Sequence, residues 1–122
     1  MVAGPAVVVS ALIEREGHIL LQDDGRGGLT LPTAQVGTKG ATATLESLIA
    51  GAGVTASPGV IYSIYEDVEA GQQHIAFLCP CTDGAPAKGC FVELATGLDD
   101  VTDPAMRVML DRLADESRVG NY

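Results

Sequence analysis

Two apolar runs joined by a two-residue turn constrain this chain more than any other feature. Ala6–Arg15 (AVVVSALIER) is rich in β-branched residues, Glu16-Gly17 follows, and residues 18–22 (HILLQ) are apolar again, a pattern that predicts a β-hairpin. Residues 23–28 (DDGRGG) then gather acids and glycines that favour a turn or mobile loop. Residues 29–32 (LTLP) and 33–40 show little periodicity. Between Thr42 and Ala52, Leu45, Leu48, Ile49 and Ala52 recur at i, i+3, i+4 and i+7, one face of a helix, and Gly53 is suited to end it.

Residues 59–67 (GVIYSIYED) predict a long strand from their β-formers, although the alternation is imperfect. Residues 69–72 turn the chain, and residues 74–81 (HIAFLCPC) return as an apolar strand expected to end near Pro80. Residues 82–89 read as a polar loop and 90–94 (CFVEL) as a shorter strand. Asp103 is placed as an N-cap before Pro104, which predicts a helix to about Glu116 with Met106, Met109, Leu110 and Leu113 as its apolar stripe. The order of elements implies one α/β domain, residues 1–122, with a mixed sheet between helices.

With 122 residues, 47% of them hydrophobic, the chain can bury a real core, and with no Trp and two Phe that core must be Val, Leu, Ile and Ala. Each Val or Leu side chain contributes about 1.5–3 kcal/mol when fully buried. The net charge of −9, from 16 acids and 7 bases, repels a phosphate backbone and disfavours nucleic-acid binding. A small phosphorylated ligand remains compatible if a pocket or cation overrides the mean field. Residues 1–10 lack a basic segment and are broken by Gly4 and Pro5, so no signal peptide is expected. No apolar run reaches the roughly 18 residues that suggest a membrane span, so a soluble, cytoplasmic protein is expected. Three cysteines, an odd number, argue for a reducing compartment.

The stretch from Leu31-Pro32 through Val36 and Leu48 to Gly53-Val54 resembles the box of the Nudix hydrolase superfamily (MutT-like). In that family Leu-Pro-Gly-Gly-x-Val-Glu enters a helix bearing Arg-Glu-U-x-Glu-Glu, U being aliphatic, and Gly-U leaves it. The resemblance implies a Nudix-like α/β/α sandwich with a mixed central sheet. Residues 62–67, 74–78, Asp83-Gly84 and 91–94 resemble the strands and turn that follow the box. Aligned on Gly53-Val54, however, Glu46 stands at the family's Arg, Ser47 at the first Glu, and Ala50 and Gly51 at the Glu-Glu pair. Thr33-Ala34 and Gly37 replace the entry's glycines and Glu. The box is also two residues short, with no acid between Lys39 and Ala41.

Magnesium requires oxygen ligands in near-octahedral array, and in the family the bound ion polarises phosphate and activates water. Ala50 and Gly51 supply no ligand, and a glycine in a helix costs about 1 kcal/mol relative to Ala. A degenerate box without metal is therefore expected, with no catalytic residue and no cofactor. Glu46, Glu66 and Asp67 are the fallback carboxylates for a displaced site. Cys79, Cys81 and Cys90 are read as small buried hydrophobes rather than a zinc group, since His74 should emerge on the opposite face from Cys79. His18 is read as a turn residue and Thr38-Lys39-Gly40 as a solvated segment without P-loop spacing.

The leading expectation is a non-hydrolytic domain that binds a small molecule or a protein. The alternative is a Nudix-type hydrolase of a nucleoside diphosphate-linked or other phosphorylated metabolite, using magnesium at a displaced site. Metal-free chemistry on a non-phosphorylated substrate is a third reading. A homodimer through an apolar face or edge strand suits so small a sheet, although no residue specifies it.

Overall fold

The computed structural model describes residues 6–118; the first five residues of the segment judged not to be a signal peptide lie outside them. The predicted hairpin is present as β1 (Ala6–Arg15) and β2 (His18–Asp23), with Glu14 opposite Ile19 and Arg15 opposite His18. Two short strands follow, β3 (Leu29–Thr30) and β4 (Thr33–Gln35), then helix α1 (Ala41–Ala52), β5 (Thr55–Ala56), β6 (Ile61–Asp67), β7 (Gln72–Asp83), β8 (Cys90–Glu93) and helix α2 (Pro104–Arg118).

The described strands form one eight-stranded mixed sheet. β1 lies at its centre, parallel to β7 from Ala6–Gln72 to Glu14–Pro80. Its other edge is shared between β2 at the hairpin end and β4 at the start, both antiparallel. β6 and β5 pair with successive parts of β7, while β3 and β8 pair with β2. Being paired on both edges and covered on both faces, β1 is an almost unbroken apolar run rather than an alternating one.

Alternation along β1 and β2 divides the core in two. Leu12, Ile19 and Leu21 face α2 and meet Met106, Met109, Leu110 and Leu113. Val9, Ala11, Ile13 and Leu20 face the opposite way and meet Leu45, Ile49 and Ala52 of α1. The α/β sandwich expected from the sequence is thus observed, with one helix on each face. Gly53 closes α1 in the left-handed conformation (φ 79°), which a residue without Cβ adopts readily. Asp103 caps α2, its Oδ1 accepting from the backbone N–H groups of Ala105 (3.0 Å) and Met106 (3.3 Å).

Three expectations need correction. The stretch 33–40, read as irregular, contains β4, and β5 was not anticipated. β7 does not stop near Pro80 but continues to Asp83. Proline is tolerated because its missing N–H falls between the parts of β7 that β6 and β5 pair, where only its carbonyl is used, accepting from Ser57 N–H at 3.1 Å. Finally, a register shift between Ile61 and Ser63 inserts an extra residue in β6, so Tyr62 and Tyr65 both reach the α2-side core.

Candidate functional site

α1 packs through Leu45, Ile49 and Ala52 and exposes Glu46, Ser47, Ala50 and Gly51. Ser47 and Gly51, one turn apart, line a cleft of about 160 Å³ with Leu48, Gln22 of β2, Pro32 and Lys88. Glu46, Ile49 and Ala50 line a separate cleft of about 230 Å³ with Ala56 and Pro58. The positions that match the resembled family's glutamates therefore divide between two neighbouring clefts: Ser47 and Gly51 in one, Ala50 in the other.

The fallback carboxylates are distributed as follows. Glu66 and Asp67 are consecutive on β6 and project to opposite faces of the sheet. Asp67 accepts a hydrogen bond from Ala70 N–H (3.1 Å), which fixes it in the β6–β7 turn. It also lines the roomiest cleft, about 600 Å³, with Asp23, Asp24, Asp103 and Arg26, whereas Glu46 lines the α1 cleft. Asp24 is held below the usual carboxylate range by hydrogen bonds from the backbone N–H groups of Arg26 (2.7 Å) and Gly28 (3.0 Å). Among the described residues, no three His, Cys, Asp or Glu side chains come together as a metal site.

Cys79 and Cys81 lie buried in the α1-side core, with the Cys79 thiol pushed up by burial. Cys90 is exposed, contrary to its reading as a buried hydrophobe; it is the first residue of the short strand β8. His74 stacks on Tyr65 at 4.8 Å, on the α2 side and away from Cys79. His18 Nδ1 sits 3.0 Å from the Glu16 carbonyl oxygen at the hairpin turn. Near Thr38-Lys39-Gly40, the Thr44 hydroxyl accepts from Gly37 N–H and donates to the Gly40 carbonyl, which stitches the entry to α1. Sequence reasoning passed over Gln22 and Lys88. A lysine in a polar loop has no periodic signal, and only the folded chain sets it over α1.

No protein-family model matches the chain. Of solved structures, a Nudix hydrolase from Nitrosomonas europaea superposes with a TM-score of 0.85 at 17% identity, covering 98% of this chain and 76% of that one. The chain accordingly has the Nudix fold. A candidate oxidoreductase of Sinorhizobium meliloti 1021 superposes with a TM-score of 0.81 at 27% identity, covering 97% of this chain and 41% of that one.

Two curated relatives give the likeness a different direction. One is the reductase component of the flavin-dependent trigonelline monooxygenase of Acinetobacter baylyi, 37% identical over all of this chain and 40% of its own length. The other is the "Probable flavin reductase" of Rhizobium meliloti, 33% identical over 93% of this chain and 37% of its own. The chain thus spans about two fifths of the relatives it matches.

These relatives overturn the expectation that no cofactor is involved, because both are named for flavin chemistry. A flavin presents a flat aromatic ring that favours apolar or aromatic walls and, as a nucleotide, a phosphate that favours cationic ones. The roomiest cleft offers four carboxylates, and Tyr62 and Tyr65 are turned into the α2-side core. That cleft does not fit the ring, whereas the cleft at Lys88 suits a phosphate in charge.

Proposed function

We propose that this chain is a non-hydrolytic, ligand-binding module of Nudix fold that serves a flavin-dependent reductase system. The observation that carries the proposal is the exposed face of α1, where Ser47, Ala50 and Gly51 offer no carboxylate and Lys88 stands over the cleft that Ser47 and Gly51 line. A cation there competes with magnesium and attracts the anionic groups that magnesium would otherwise neutralise. The two relatives named for flavin reduction support the choice of system. A flavin supplies reversible uptake of two electrons; the chain's contribution is recognition of a phosphorylated ligand through the α1 face.

The test uses one preparation and two readouts: binding of FMN and FAD followed by flavin fluorescence, and phosphate release from nucleoside diphosphate and triphosphate derivatives with Mg²⁺ or Mn²⁺. The expected result is saturable flavin-nucleotide binding with phosphate release at background. Metal-dependent turnover that falls in Glu46→Ala would falsify this reading and restore the hydrolase with a displaced site.

A further inference from the structure

The cleft between α1, β2 and the β7–β8 loop differs in charge from its neighbours. Four other clefts on the described surface are each lined by at least one Asp or Glu. This one is lined by Lys88 with Gln22, Pro32, Ser47, Leu48 and Gly51, and no carboxylate. In a chain with 16 acids and 7 bases, that is a local reversal of the mean field.

Two further features indicate a built site. The loop that carries Lys88 is latched on both sides: Ala87 N–H donates to the Ala52 carbonyl at 2.8 Å, and Arg15 Nη1 donates to the Gly84 carbonyl at 3.0 Å. Gly89 approaches β2 so closely that a Cβ would stand 2.1 Å from the Leu21 carbonyl oxygen. The backbone around Lys88 is therefore held against α1 and β2. The second feature is Gly51, one turn after Ser47. Its φ is not positive, and a Cβ built there meets nothing within 4 Å, so neither backbone conformation nor packing requires glycine. A helical site would favour Ala; glycine here leaves the cleft floor open.

The geometry points to a metal-free phosphate subsite formed by Lys88, Ser47 and Gln22 beside Gly51. Lys88 supplies the charge, as lysine does for phosphates elsewhere, and offsets the carbonyl end of α1. The Ser47 hydroxyl and Gln22 amide are donors, and the missing Cβ at Gly51 leaves room for the ligand. The cleft, of about 160 Å³, has room for one or two phosphoryl groups. The ligand is thus a phosphorylated molecule whose phosphate enters this cleft. The inference rests on the reading of α1 as a metal-free binding face but not on the ligand being a flavin.

The competing physical account is that Lys88 only offsets the carbonyl end of α1. Amide chemical shifts of the labelled chain in EDTA, titrated with inorganic pyrophosphate, FMN and riboflavin, separate the two. The expected result is saturable shifts at Ser47, Gly51 and Lys88 with pyrophosphate and FMN, and none with riboflavin. Lys88→Gln weakens pyrophosphate binding about tenfold or more, as loss of a charged hydrogen bond should. Gly51→Ala weakens it while raising the thermal midpoint, which excludes misfolding as the cause. The subsite is overturned if Lys88→Gln lowers the melting temperature but leaves binding intact, if no shifts occur, if Mg²⁺ is required, or if the shifts map to the clefts of Arg26 or Arg107. Pyrophosphate binding without FMN binding keeps the subsite and removes the flavin from the proposed function.

Discussion

Tyr65 carries a hydroxyl into surroundings that give it no partner. Its Oη is buried without a hydrogen bond among the described residues, and its ring lies parallel to that of His74. Burial, with smaller effects from Asp103 and Asp67, pushes its ionisation up to about 12. In the unfolded chain it ionises near 10, so the unfolded state loses this proton first as pH rises. The contribution to stability is complete below 10 and is lost as pH rises through about 12. Tyr65→Phe should accordingly be neutral or up to about 1 kcal/mol more stable at pH 7, because the unpaired hydroxyl disappears. It should also remove the late-titrating tyrosine from an ultraviolet titration. A loss beyond about 1 kcal/mol would mean that the hydroxyl has a partner. The sequence showed which side chains carry charge, Glu46, Glu66 and Asp67 included. It did not show that Lys88 comes to line one cleft with Gly51, since that depends on how distant segments pack.

At the scale of elements, the two helices were legible because each repeats its apolar residues at i, i+3, i+4 and i+7, about two turns. β3, β4 and β5, of two or three residues each, are too short to display a period. The α2 boundary was readable for a local reason: Asp103 bonds backbone groups only two and three residues away. Asp103→Ala should cost about 1 kcal/mol, within the 0.5–2 range of lost caps, and Asp103→Asn should keep most of it. Urea unfolding gives the measurement, read as a lower midpoint with an unchanged slope. Asp103 also raises the Tyr65 ionisation, so the Ala variant should titrate that phenol earlier. An unchanged midpoint would show that Pro104 and the packing of Met106, Met109, Leu110 and Leu113 define the helix start without the cap.

For the whole molecule, two cores share one sheet, and the helix over each face leaves part of β6 uncovered. Among the described strands β6 pairs only with β7, and Ile61 and Ile64 remain 52% and 55% exposed, flanked by Val60 at 71% and Val68 at 84%. An antiparallel edge strand with apolar side chains is a template for pairing with another chain, and natural edges are usually protected by charge or cover. Here the charges, Glu66, Asp67 and Glu69, gather at one end, so the Val60–Ile64 part is guarded by the bulge alone. The prediction is that the homodimer expected from the sequence forms through this edge. Light scattering across a concentration series should show a mass that rises above the monomer, and Ile64→Lys should return it to the monomer. Because Ile64 contributes little to either core, the same substitution should change unfolding free energy by no more than about 0.5 kcal/mol. A monomeric mass throughout the series removes the homodimer. A large loss of stability would instead make Ile64 a residue of the fold.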